Sequence, residues 1–323
     1  MTIALDSIRA ASDRIGPYLH RTPLFSSRAL GARTGTTLSF KCESFQKTGS
    51  FKPRGALNIV LSLPEERRAR GLITVSAGNH AQAVAWAAGV VEVPCVVVMP
   101  ADAPRAKLDA VRGYGATIVA HEDRATLFER LREEEAKTGA HFVHPFDDPV
   151  GLAGAGTVGL EIVEQLPDVE LVVVPIGGGG LMAGVTCAVK ALKPSCRVIG
   201  VELAEGPGMS PALAAGKPVP VMRPRTLADG LTPPFVGNLP LEVARQLLDG
   251  IVTVTEAEIL AALRELVMRA KLYVEGSGAA ATAALLAGRI AHAPGDRVVS
   301  IVSGGNMDPA RLGEVFAEAG VGA

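Results

Sequence analysis

Short apolar runs alternate with helix-length segments along most of this chain, and that alternation limits the fold more than any other feature. A helix over about 54–70, a strand at 72–75, a helix from 79, a strand at 95–99, a helix from 104 and a strand at 117–120 follow one another with little between them. A charged helix at 123–137 and a strand at 141–143 close this series. The runs are apolar throughout, so each strand is expected to be buried on both faces, as in a parallel sheet covered by helices. The pattern then restarts, with a helix at 157–166, a strand at 171–176, a helix at 181–192 and a strand at 197–201. A second sheet follows from that restart. Residues 203–238 are rich in Pro and Gly without a period and read as a long loop. Helix 241–248, strand 251–254, helices 256–271 and 277–287, strand 297–302 and a terminal helix complete the expected order.

Composition narrows the function. The 323 residues are 48% hydrophobic, and 32 basic against 33 acidic residues leave a net charge of -1. That balance offers nucleic acid or an anionic membrane nothing to bind, so small-molecule chemistry is the expectation. Cys42, Cys95, Cys187 and Cys196 are widely spaced and suggest buried thiols in a reducing compartment. The N-terminal stretch has no long apolar core with a cleavage site, and the apolar stretch 83–99 is broken by Glu92 and Pro94. A soluble cytoplasmic protein is expected.

Four stretches could carry chemistry. Lys52 lies between Phe51 and Pro53, with Gly49 and Gly55 permitting close backbone approach. An amine desolvated by such neighbours loses basicity and becomes a nucleophile suited to Schiff-base chemistry. The plain alternative is a lysine at a helix start with Pro53 at the first position. Gly177, Gly178, Gly179 and Gly180 follow a β-branched strand and open a helix, an anion cradle of backbone N–H groups. With Glu202 ending the next strand, the same loop also fits a dinucleotide, so the cradle alone leaves NAD and a phosphate-bearing cofactor open. Ser76, Ala77, Gly78, Asn79 and His80 repeat the strand–loop–helix layout and suit a carboxylate, or simply cap a helix. Ser303 follows the last strand, at the carboxyl end where open α/β sheets place ligands, and could meet a ring nitrogen or cap a turn.

Taken together, Ser50-Phe51-Lys52, Ser76 to Gln82, the tetraglycine and Ser303-Gly304-Gly305-Asn306 resemble the serine/threonine dehydratase family of fold-type II pyridoxal-phosphate enzymes. The resemblance runs from Arg21-Thr22-Pro23-Leu24 to the C-terminal helix. It implies a two-lobed α/β fold, tryptophan synthase beta-like, with a large cofactor-binding domain at 1–44 and 144–323 and a small mobile domain at 45–143. It implies that Lys52 holds pyridoxal 5'-phosphate as a Schiff base with Phe51 near the ring, and that Asn79 meets the ring hydroxyl. Gly177 to Gly180 and the Leu181 amide would take the phosphate, and Ser303 the pyridine nitrogen. Ser76, Ala77, Asn79 and His80 would receive the substrate carboxylate, largely through amides. The implied activity is dehydration of a hydroxy-amino acid, L-threonine or L-serine, to a 2-oxo acid and ammonia by a homodimer.

Departures from the family's pattern refine this. Related serine racemases carry a second serine where this chain has Ala77, so elimination is expected over racemisation. Those relatives also hold a divalent cation through a Glu and a nearby Asp. Glu202 is present but the Asp position reads Gly208, so Glu202 remains only a possible metal ligand. Ala155 stands where dehydratases commonly have glutamine, and Asp229 and Glu275 fall at the site's expected edges, where a capping or loop-ordering role is equally open. No regulatory domain is expected after residue 323. A 3-hydroxyaspartate dehydratase, a serine racemase-type enzyme, a cysteine synthase-type β-replacement enzyme, a nicotinamide-dependent dehydrogenase and a non-catalytic metabolite-binding protein are the competing readings.

Overall fold

The structure, a computed structural model, describes residues 2–317, so the end of the expected terminal helix lies outside the described residues. Among the described residues, ten strands form two sheets. In chain order they are β1 (Leu24–Ser26), β2 (Thr37–Cys42), β3 (Leu72–Val75), β4 (Cys95–Pro100), β5 (Thr117–His121), β6 (His141–Phe142), β7 (Leu171–Pro175), β8 (Arg197–Leu203), β9 (Gly250–Val254) and β10 (Arg297–Val302). The larger sheet has the order β1-β2-β10-β7-β8-β9 and the smaller β5-β4-β3-β6. Every pairing is parallel except that of the edge strand β1 with β2. The strands β7, β8 and β3 are buried along nearly their whole length, which is why their sequences do not alternate.

The helix expected over 54–70 breaks at Leu63-Pro64 into Lys52–Ser62 and Glu65–Arg68, and three further departures stand out. The helix expected at 157–166 begins at Pro149, where Asp148 accepts a hydrogen bond from the Gly151 amide and Pro149 fills the first turn. Its opening run Gly151-Leu152-Ala153-Gly154-Ala155-Gly156 is half glycine, which lowers helix propensity, because it is a packing surface. A Cβ at Gly154 would strike the Arg54 carbonyl oxygen, and one at Gly184 would come within 2.5 Å of the Gly156 nitrogen. The helices Lys52–Ser62, Pro149–Gln165 and Gly180–Leu192 therefore approach more closely than bulky side chains would permit. In the expected loop 203–238, a short helix forms at Met209–Ala215 and a 3-10 turn at Asp229–Leu231. The helix expected over 256–271 ends at Glu265 and continues as a π-turn over Leu266–Ala270, closed by Lys271 at a φ of 60°. No described helix is long and apolar enough to cross a membrane.

A buried ionic cluster ties the larger sheet to two of these helices. Arg54, from the helix that begins at Lys52, grips Glu43 at 2.7 and 2.8 Å and Glu161 at 2.7 and 3.1 Å. Lys41 of β2 reaches Glu161 at 2.5 Å, the Thr22 carbonyl at 2.8 Å and Gln165 at 2.9 Å. Two cations and two carboxylates balance, as buried charge requires.

Candidate active site

The loops at the carboxyl ends of β2, β3, β7 and β10 and the start of helix Lys52–Ser62 converge on one place. Phe51 donates its amide to the Ser303 carbonyl at 3.0 Å, and Ser50 forms an isolated antiparallel bridge with Gly304. The lysine stretch is thereby stitched to the loop after β10. The Lys52 ammonium donates to the Pro145 carbonyl at 2.8 Å and lies 5.0 Å from the Phe51 ring centre. Burial pulls its pKa down to about 8, and the charge of Glu275 acts the other way. Such an amine is a usable base and nucleophile near neutral pH. A cavity beside it is lined by Phe51, Lys52, His80, Phe146, Ala155 and Gly180, so three of the four sequence stretches meet around one amine. Ala155, where the family resemblance leads one to expect glutamine, therefore borders the Lys52 cavity.

Two sets of unspent backbone amides face this region. No amide from Gly177 to Leu181 donates to another described residue, as the open first turn of helix Gly180–Leu192 leads one to expect. The loop is glycine for steric reasons. A Cβ on Gly177 would meet the Gly230 carbonyl oxygen, one on Gly178 the Phe146 ring, and Gly179 has a φ of 92°. In the second loop Gly78 donates to the Ser76 hydroxyl at 3.1 Å, while the Ala77, Asn79 and His80 amides have no partner among the described residues. Both loops suit anions, one set deep at a helix start beside β7 and one at the start of helix Asn79–Val90.

The remaining sequence candidates separate by environment. The His80 side chain is buried, its Nε2–H donating to the Val143 carbonyl at 3.0 Å. Burial first, then the charge on Lys52, pulls its pKa down to about 3, so it stays neutral. Its backbone amide is free for a ligand. Ser303 is buried, and its hydroxyl has no protein partner among the described residues. Glu202 lies at a helix start: its carboxylate accepts the amides of Gly208, Met209 and Ser210 and the Ser210 hydroxyl. It holds helix Met209–Ala215. Four donors occupy its two oxygens, so in this structure its orientation is set by that helix start and not by a ribose, which the dinucleotide reading needs.

Two partners were not legible as such. Asn79 donates to Glu275 at 2.6 Å, and Asn306 donates to the Asn79 side-chain oxygen at 2.7 Å. Burial, reinforced by the charge of Asp229, pushes the Glu275 carboxyl up to about 7, against the Asn79 hydrogen bond. Asp229 itself sits at the rim, paired with Lys107 at 2.6 Å. The sequence signal for Asn306 is membership of the Ser303-Gly304-Gly305-Asn306 motif, and for Glu275 its place at the site's expected edge.

A desolvated amine beside a dense phosphate-sized set of open amides, without a Walker lysine, is the donor set of a cofactor that carries both a carbonyl and a phosphate. The family described as pyridoxal-phosphate dependent enzyme matches residues 15–304. The chain belongs to that family. This pyridoxal-phosphate enzyme is 45% identical over 304 residues to an L-threonine ammonia-lyase of Geobacter sulfurreducens, covering 93% of this chain and 75% of that protein. Among solved structures it resembles maize serine racemase, with a TM-score of 0.92, 38% identity and coverage of 99% and 98%. It also resembles a threonine deaminase from T.th., with a TM-score of 0.87, 42% identity and coverage of 94% and 99%. The fold is α/β fold-type II, the cofactor is pyridoxal phosphate, and the enzyme is a lyase.

Proposed function

We propose that this enzyme dehydrates L-threonine and L-serine, yielding 2-oxobutanoate or pyruvate and ammonia. The observation that carries the reading is Lys52, a poorly solvated amine set between two separate groups of open amides. The ammonia-lyase named among the relatives supports it. Pyridoxal phosphate, when bound, supplies an electron sink for the pair left behind as the Cα proton departs. The chain's own groups do the rest. Lys52 holds the cofactor and, once displaced by the substrate amine, removes the Cα proton. The amides of Gly177, Gly178, Gly179, Gly180 and Leu181 hold the phosphate, Phe51 packs near the ring, Asn79 meets the ring hydroxyl and the Ser303 hydroxyl meets the pyridine nitrogen. Being neutral, Ser303 does not enforce a charged ring, which favours prompt loss of the β-hydroxyl. The Ser76–His80 loop receives the substrate carboxylate through its amides. Water lost at the β-carbon is regained on hydrolysis, so threonine leaves as its 2-oxo acid plus ammonia.

Relatives of this chain include racemases as well as lyases. Racemisation needs a second proton carrier opposite Lys52. The Ala77 methyl, at the position where related racemases carry a serine, cannot serve. Elimination is therefore the main outcome. Residues 45–143 act as a smaller mobile domain against 1–44 and 144–323, closing the Ser76–His80 loop over substrate and excluding water. The half-exposed, edge-to-face pair Phe25 and Phe45 supports a homodimer, and four free buried cysteines support a cytoplasmic setting.

A 2-oxo acid release assay over L- and D-threonine and serine tests the reading, with the visible band of the lysine-linked cofactor recorded alongside. L-substrates are expected to give product, and Lys52→Ala to lose both product and the lysine-linked band. Rapid formation of D-serine from L-serine, or retention of that band in Lys52→Ala, would sink it.

A further inference from the structure

A single chain of side-chain hydrogen bonds crosses the site, and its direction can be deduced from one carbonyl. Thr48, four residues before Lys52, sits at a φ of 56°, and its carbonyl accepts from the Asn306 side-chain nitrogen at 2.7 Å. A carbonyl can only accept, so the amino group of Asn306 points this way. The same nitrogen lies 2.7 Å from the Asn79 side-chain oxygen, and its second hydrogen goes there. Asn79 must then present its own amino group on the other side, where Glu275 accepts one N–H at 2.6 Å. One N–H of Asn79 is left unspent.

The surrounding backbone is cut to fit this chain. A Cβ on Gly49 would stand 2.5 Å from the Asn306 side-chain oxygen, and Gly49 has a φ of 71°. A Cβ on Gly304 would stand 2.5 Å from the Glu275 carboxylate. The Gly305 amide donates to Gly49 at 2.9 Å and the Glu275 amide to Gly304 at 3.2 Å, so the loops that carry the chain are themselves bonded together. Glu275 is partly buried, accepts from the Asn79 side chain and the Asn306 backbone, and has Asp229, Lys107 and Lys52 as the charges that act on it.

We propose that Glu275 is a positioning residue for the reaction: with Asn306 it fixes the Asn79 carboxamide in one orientation, leaving a single N–H of Asn79 for the cofactor. The proposal rests on the assignment of Asn79 to the cofactor ring. Loss of the Glu275 acceptor would free the amide to rotate and present its oxygen instead, which a ring hydroxylate repels.

The test uses purified holoenzyme, three variants of the hydrogen-bond chain and Lys52→Ala. Glu275→Ala is expected to weaken pyridoxal-phosphate binding about tenfold and to shift the visible band of the bound cofactor. Glu275→Gln keeps an acceptor for Asn79 and is expected to lose clearly less. Asn306→Ala releases the other end of the same amide and is expected to reproduce the spectral shift, which also serves if Glu275→Ala fails to fold. The proposal is overturned if Glu275→Ala or Asn306→Ala binds the cofactor with wild-type affinity and an unaltered band. It is equally overturned if Glu275→Gln loses as much as Glu275→Ala. A lysine-linked band that survives Lys52→Ala identifies the site reading as the failure instead.

Discussion

Arg54→Met gives the sharpest test of how the lysine-bearing helix is anchored. Arg54 is 2% exposed, Glu43 and Lys41 are each 0% exposed, so solvent cannot compensate for a missing partner. The substitution deletes the paired contacts to Glu43 and Glu161 together with those to Thr157 at 3.0 Å and Thr22 at 3.3 Å. Methionine fills much of the volume, so the loss is electrostatic: two buried carboxylates remain with Lys41 as the one cation of the cluster. Breaking a buried pair by removing one partner costs about 3–5 kcal/mol. Burial tends to raise the Glu161 pKa, but Arg54 and Lys41 outweigh it and hold the carboxyl below its ordinary value of 4.5. A carboxyl depressed in the folded state contributes stability above its unfolded pKa, and that contribution is lost as pH falls through the folded value. The gap between wild type and Arg54→Met should thus be full at pH 7 and narrow once the pH drops below 4.5. Urea unfolding followed by circular dichroism at both pH values measures it. A gap under about 1 kcal/mol at pH 7, or one that does not narrow in acid, would refute the reasoning.

Gly179→Ala forces a side chain onto a φ of 92° and places its Cβ 2.5 Å from Pro240. The backbone strain alone is about 1–2 kcal/mol, and dialysed protein should retain markedly less pyridoxal phosphate than wild type; full retention contradicts the cradle. The rate should also follow Lys52. The amine must be neutral to accept a proton, so kcat should rise with pH through about 8 and fall about tenfold per unit below it. A profile flat from pH 6 to 9 removes Lys52 as the base.

The strands and both anion loops were legible because their determinants are local. A continuous run such as Leu171–Pro175 can be satisfied only with both faces buried, and a tetraglycine at a helix start exposes amides whatever the rest of the chain does. The lysine, too, is marked by its immediate neighbours. What the chain's order leaves undetermined is who pairs with whom. Glu202 could have met a ribose, a cation or a helix start, and its choice of the Gly208, Met209 and Ser210 amides depends on a helix that forms in a Pro- and Gly-rich stretch. Helix Pro149–Gln165 begins two turns early because its glycines meet the backbone of neighbouring helices, a contact no propensity encodes. Arg54 with Glu161, and Thr48 with Asn306, Asn79 and Glu275, join residues from distant parts of the chain. The sequence by itself determined the α/β alternation, the reactive amine and the two cradles. Tertiary structure decided the partners that orient them, because a hydrogen bond is set by distance and direction in space, and only the folded packing of the helices and loops supplies those.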